Sequence, residues 1–139
     1  MSWDWRRVWD WLGSVIVAAW EPTTILFGVV ETEWGPDDLP LVAITIVSTQ
    51  ATEQSGTKAQ MWRDEFTIQA LWPLPQDKPT LDFLGGQVRI LAEELRVGET
   101  LDNLRSEVVS VMPFSIRTES QVVGLVVTLH VYRPEVWDE

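Results

Sequence analysis

Few residues in this chain have types and spacing that could do chemistry. The one histidine, His130, lies inside the alternating run "VVGLVVTLHVYRP" (122–134). It has opposite parity to Leu129 and Val131, so it is expected to point outward or toward a partner, and it has no second histidine with which to build a metal site. Three adjacent carboxylate pairs occur: Asp37-Asp38, Asp64-Glu65 and Glu93-Glu94. Adjacent strand residues face opposite ways, so Asp64 and Glu65 cannot act together on one substrate. Asp37-Asp38 follows Gly35-Pro36 and reads as turn chemistry, and Glu93-Glu94 as helix-surface charge. Asp64 alone has inward parity, and the expectation for it is a bulge or a frayed strand end rather than a catalytic acid. "FLGGQ" (83–87) lacks the Lys-Ser or Lys-Thr of a phosphate loop, and no serine sits in a nucleophile elbow. No catalytic, cofactor-binding or metal-binding residue is nominated, no cofactor is expected, and the chain is not expected to be an enzyme.

The elements that would position these groups are easier to read. Over 3–20, Trp5, Trp9, Leu12, Ile16 and Ala19 recur at helical spacing, with Ser2 as a candidate N-cap and Pro22 beyond the end. Trp3, Trp11, Val15 and Trp20 widen the apolar surface past one stripe, so this helix needs deep burial or a second partner. "TTILFGVV" (23–30) is a short strand and "LVAITIVST" (41–49) a strand covered on both faces. In "MWRDEFTIQALWP" (61–73), Trp62, Phe66, Ile68, Ala70 and Trp72 share one parity and Arg63, Glu65, Thr67 and Gln69 the other. The two runs form a long hairpin, 41–73, around the polar loop "QATEQSGTKAQM" (50–61), a length uncommon unless functional or disordered. After the linker "PLPQDKP" (73–79), Leu81, Leu84, Val88, Leu91 and Leu95 mark a helix over 80–97, with Thr80 as N-cap and Gly98 as its C-terminal stop. Gly85-Gly86 is its flaw, implying either close packing or a start near Gln87. A last hairpin spans 107–133, with Met112-Pro113 expected to break or bulge its first strand. The reading is one α+β domain over 1–139: a mainly antiparallel sheet of about five strands built from two hairpins, with two helices packed on it.

Composition narrows the function. The 139 residues are enough for one core without staples, and there is no cysteine for disulfides, thiolate metal sites or thiol catalysis. With 21 acidic and 10 scattered basic residues, net −11, general nucleic-acid binding is not expected. No membrane span is expected, since the longest apolar run, "LGSVIVAAW" (12–20), is far short of the roughly 20 residues required. The start mixes Asp4 and Asp10 with Arg6 and Arg7, unlike a secretory leader. Nine tryptophans are a surplus, and tryptophan concentrates in cores and interface hot spots.

The layout, carried by "DDLPLVAITI" (37–46), "EFTIQALWP" (65–73), the helix 80–97 and "VVGLVVTLHVYRP" (122–134), resembles the tail terminator and tail-completion proteins of long-tailed bacteriophages. The resemblance implies a structural virion protein at the tail or neck, made in the host cytoplasm. Six copies would form a ring that caps the tail tube and joins it to the head. Its partners would be copies of itself, the tail tube protein and head–tail connector proteins, and DNA would pass through an acidic lumen without specific binding. Candidate interface residues are Trp3, Trp11 and Trp20 on the first helix and Glu53, Gln54, Ser55, Gly56, Thr57 and Lys58 in the hairpin loop, which would become ordered against a neighbour. Two other classes stay open: a monomeric binding module that uses its tryptophan surface or the groove by the loop, and an enzyme built on Asp64 or His130.

Overall fold

The computed structural model describes residues 5–28, 34–52, 61–102, 104–116 and 121–134. In chain order they form α1 (Trp5–Trp20), β1 (Thr24–Phe27), a 3-10 turn (Pro36–Asp38), β2 (Leu41–Ala51), β3 (Met61–Pro73), α2 (Thr80–Asp102), β4 (Arg105–Ile116) and β5 (Val122–Pro134). The fold is α+β. The five strands make one sheet in the order β1-β2-β3-β5-β4. All neighbours are antiparallel except β1 and β2, which run parallel from the pair Thr24–Leu41 to Phe27–Ile44. A parallel pair needs a crossover of a dozen residues or so, and segment 28–40 supplies it. Within it Leu39–Pro40 is a cis peptide, and the Pro40 carbonyl accepts the N–H groups of Thr23 and Thr24 at 2.8 and 3.2 Å.

Both helices lie on one face of the sheet. Val42 and Ile44 of β2, Phe66, Ile68, Ala70 and Trp72 of β3 and alternate residues Val123 to Val131 of β5 form the floor of the core. Val8, Leu12 and Ile16 of α1 are fully buried against it, and Leu84, Leu91 and Leu95 of α2 complete it. The arc that α1 buries is rotated from the expected stripe. Trp5 is exposed and Trp9 half-buried, whereas Trp11, Val15 and Trp20 are sealed inside. The reason is α2: α1 covers the sheet and packs on its companion helix at once, so it needs an apolar arc wider than one stripe.

The contact between the helices centres on Gly98, which does not stop α2. The helix runs four residues past it to Asp102, and a Cβ at Gly98 would lie 2.8 Å from the Trp11 indole nitrogen and 3.0 Å from a Val15 methyl. Gly98 is therefore a close-approach residue. Gly85 and Gly86 lie inside α2 with open space around them, so the helix neither packs closely there nor begins after them. At its start Phe83 N–H donates to the Pro79 carbonyl (3.0 Å), which puts the cap one residue before Thr80. Leu81 projects into solvent, 72% exposed, and drops out of the expected core stripe.

β4 passes through Pro113 without a break. It is an edge strand, where a missing donor is tolerated, and its irregularity lies between Val108 and Ser110 instead. β2 has a matching irregularity between Ile46 and Ser48. The helix-free face of the sheet is apolar at one end, where Leu39, Leu41, Leu71 and Val122 cluster with Trp34 and Phe114. Toward the β2–β3 hairpin the same face turns polar.

Candidate functional site at the hairpin root

The polar chemistry of the described residues collects where β2 and β3 approach their connection. Thr52 N–H and Thr52 Oγ1 both donate to the Met61 carbonyl, at 3.0 and 3.1 Å, closing the stem. One level below, on the helix side, Asp64 is fully buried. It is neither a strand end nor a bulge: it pairs in register with Thr49 of β2 and Val131 of β5. Its charge is met by Arg133, whose Nε donates to Oδ2 at 2.6 Å and whose Nη2 lies 3.4 Å from Oδ1. Arg133 is itself 1% exposed. Thr49 Oγ1 donates to Asp64 Oδ1 at 2.6 Å, and Trp5 Nε1 donates to Thr49 Oγ1 at 2.9 Å. α1, β2, β3 and β5 thus converge on one carboxylate. A buried charge left alone would cost several kcal/mol (about 3–5), which explains why the partners surround it so completely.

Arg133 was not anticipated as a functional residue. The signal was present, because Arg133 continues the inward parity of Val123 to Val131, opposite in charge to the inward Asp64.

The opposite face at the same level carries rows of paired polar groups. Gln50, Arg63, Tyr132 and Arg105 stand side by side across four strands. Arg63 donates to Gln50 Oε1 at 2.6 Å, and the Arg105 guanidinium lies 4.9 Å from the centre of the Tyr132 ring. In the next row His130 is flanked in register by Glu65 and Glu107, with its Nε2 3.0 Å from Glu65 Oε1. His130 therefore faces away from the helices, in a cross-strand contact with Glu65. Below it Thr45, Thr67, Thr128 and Ser110 form a hydroxyl row. Among the described residues no group of three histidine or acidic side chains could hold a metal ion.

Of the nominated tryptophans, Trp11 and Trp20 are 6% and 5% exposed. Trp20 Nε1 donates to the Gln87 carbonyl at 3.0 Å, and its ring stands edge-on to Trp72. Both belong to the chain's own core, which corrects their assignment to an interface: the second partner that the wide apolar arc demanded is α2. Trp3 and the loop residues Glu53, Gln54, Ser55, Gly56, Thr57 and Lys58 lie outside the described residues. The aromatic surface left accessible is different. Trp5, Trp9 and Phe27, with Arg6 and Asp10, line an open groove of about 550 Å³ between α1 and β1. Trp9 and Phe27 pack there at 5.7 Å.

No protein-family profile matches the chain, and no curated protein matches it. Among the solved structures to which it shows low similarity are two. One, of no stated function, is 12% identical, with a TM-score of 0.37 over 96% of this chain and 92% of its own. The other is from the virion of a native gene transfer agent particle and is 11% identical, with a TM-score of 0.32 over 88% of this chain and 84% of its own. Neither likeness assigns the chain to a family.

Proposed function

We propose that the chain is a structural subunit of a phage-type virion, a ring-forming tail terminator or neck protein that caps the tail tube and joins it to the head. The observation that carries this reading is the β2–β3 hairpin, a stem of 11- and 13-residue strands braced on both faces where residues 53–60 leave it. Such a braced stem suits a part that docks on a neighbour rather than one that turns over substrate. Among the described residues the sheet's two edge strands, β1 and β4, differ from one another, so contact between them would be head-to-tail, the kind of contact from which a ring is built when the rotation between copies closes. Partners in this reading are further copies of the chain, most simply six, the tail tube protein and the head–tail connector proteins. DNA passes through the lumen unbound, and the chain has no catalytic role.

Native mass over a concentration series, with electron microscopy of the same sample, tests the reading. Rings near six times the 15.9 kDa subunit are expected, alone or on addition of purified tail tubes. Replacing residues 53–58 by a short glycine-serine turn should spare folding and weaken assembly. A strict monomer in the presence of tubes overturns the proposal.

The groove between α1 and β1 favours a second reading, a binding module that takes an apolar or aromatic segment against Trp5, Trp9 and Phe27. It requires a monomer whose tryptophan fluorescence shifts with ligand and is insensitive to changes at 53–58.

A further inference from the structure

The four-residue chain at the hairpin root has a fixed direction. A buried carboxylate paired with a guanidinium accepts hydrogen bonds and donates none, so the Thr49 hydroxyl must aim its proton at Asp64. That leaves only lone pairs on Thr49 Oγ1 for the Trp5 indole, which can only donate. The order Trp5 to Thr49 to Asp64, with Arg133 closing on the same carboxylate, is the one arrangement that satisfies every group. Bonds in such a series polarise one another, so the loss of one weakens the next. The ends of the series also belong to different elements. Trp5 is the first described residue of α1 and is 39% exposed, while Thr49 and Asp64 are a paired rung of the β2–β3 stem and are 3 positions from its Thr52–Met61 closure.

We infer that the Thr49 hydroxyl couples the first turn of α1 to the root of the β2–β3 hairpin, so that the two open and close as one unit. A load on the hairpin root changes the freedom of the helix start, and capture of the helix start tightens the root. The two effects are equal by linkage. Because Trp5 also forms a wall of the groove beside β1, the coupling joins that groove to the hairpin through one hydroxyl. Thr49 acts here as a positioning residue. The inference stands on hydrogen-bond geometry and does not depend on the virion reading.

Amide hydrogen exchange on the full chain tests it. Thr49→Val removes the relay at nearly constant shape. It should speed exchange about tenfold both at the root (amides 49–52 and 61–64) and in early α1 (amides 9–12), leaving 66–70 unchanged. Thr49→Ser should restore both regions. Trp5→Phe keeps an aromatic side chain but removes the indole donor, and it should loosen the root as well as the helix. The inference is overturned if Thr49→Val loosens the root alone, if it speeds exchange evenly through the sheet, if Thr49→Ser fails to restore both regions, or if Trp5→Phe leaves the root unaltered.

Discussion

Arg133 and Asp64 meet diagonally across adjacent strands, Nε to Oδ2 at 2.6 Å, with both side chains shut away from solvent. An ion pair in this setting is poor evidence of stability, because desolvation of the two charges offsets most of their attraction. Its value lies in what happens when it is incomplete. Asp64→Ala or Arg133→Met alone strands a buried charge and should cost about 3–5 kcal/mol in urea denaturation. The double variant Asp64→Leu with Arg133→Met should recover most of that loss. A double variant as unstable as either single one would show that the pair contributes net stability.

The glycines of α2 should respond in opposite senses. At Gly98 an added methyl meets the Trp11 ring and a Val15 methyl inside the helix–helix contact, and Gly98→Ala should cost about 1–3 kcal/mol. At Gly85 or Gly86 the methyl meets nothing, and alanine should stabilise the helix by about 1 kcal/mol. Thermal unfolding of the variants, followed by circular dichroism, separates the two cases.

Gly124 is the more severe position. A Cβ there would approach the Ala70 carbonyl oxygen to 2.6 Å and the Phe114 ring to 2.5 Å. The ring can swing aside, but the neighbouring strand's backbone cannot. Gly124→Ala should therefore lower the melting temperature by more than Gly98→Ala does, and adding Phe114→Leu should rescue only part of the loss.

The pair between His130 and Glu65 should matter little to folding. Glu65 is a third exposed and can be rehydrated, and glutamine can keep a hydrogen bond to it, so His130→Gln should change stability by less than about 1 kcal/mol. A larger loss would indicate that His130 also holds Glu107 across the β4 edge.

The strands were legible because parity survives in a sheet with one covered face: Phe66, Ile68, Ala70 and Trp72 do face the helices. Their pairing into a mainly antiparallel sheet followed from the two hairpins. The parallel placement of β1 was hidden, since nothing local in "TILF" records which strand it will join. The stripe on α1 was misread because the sum of two neighbours, sheet and α2, sets the buried arc, and spacing alone cannot apportion it. Gly98 looked like a stop for a related reason. Its lack of a side chain serves a tryptophan 87 positions earlier, not its own backbone. Asp64 was visible as an anomaly, but its meaning required Arg133, 69 residues away.

One extra residue in β2 has a consequence for all of this. Ile46 faces the helices opposite Phe66, and Thr49 faces the same way opposite Asp64, although 46 and 49 differ in parity. The irregularity between Ile46 and Ser48, where Val47 stands 55% exposed, is what reverses the phase. Below it β2 obeys one alternation, and above it the opposite one. If β2 kept Val47 but paired without the irregularity, its alternation would run unbroken and the Thr49 hydroxyl would turn to the far side of the sheet, leaving Asp64 and Trp5 without their intermediary. The polar heart of the hairpin root thus depends on one residue being taken out of the alternation of β2.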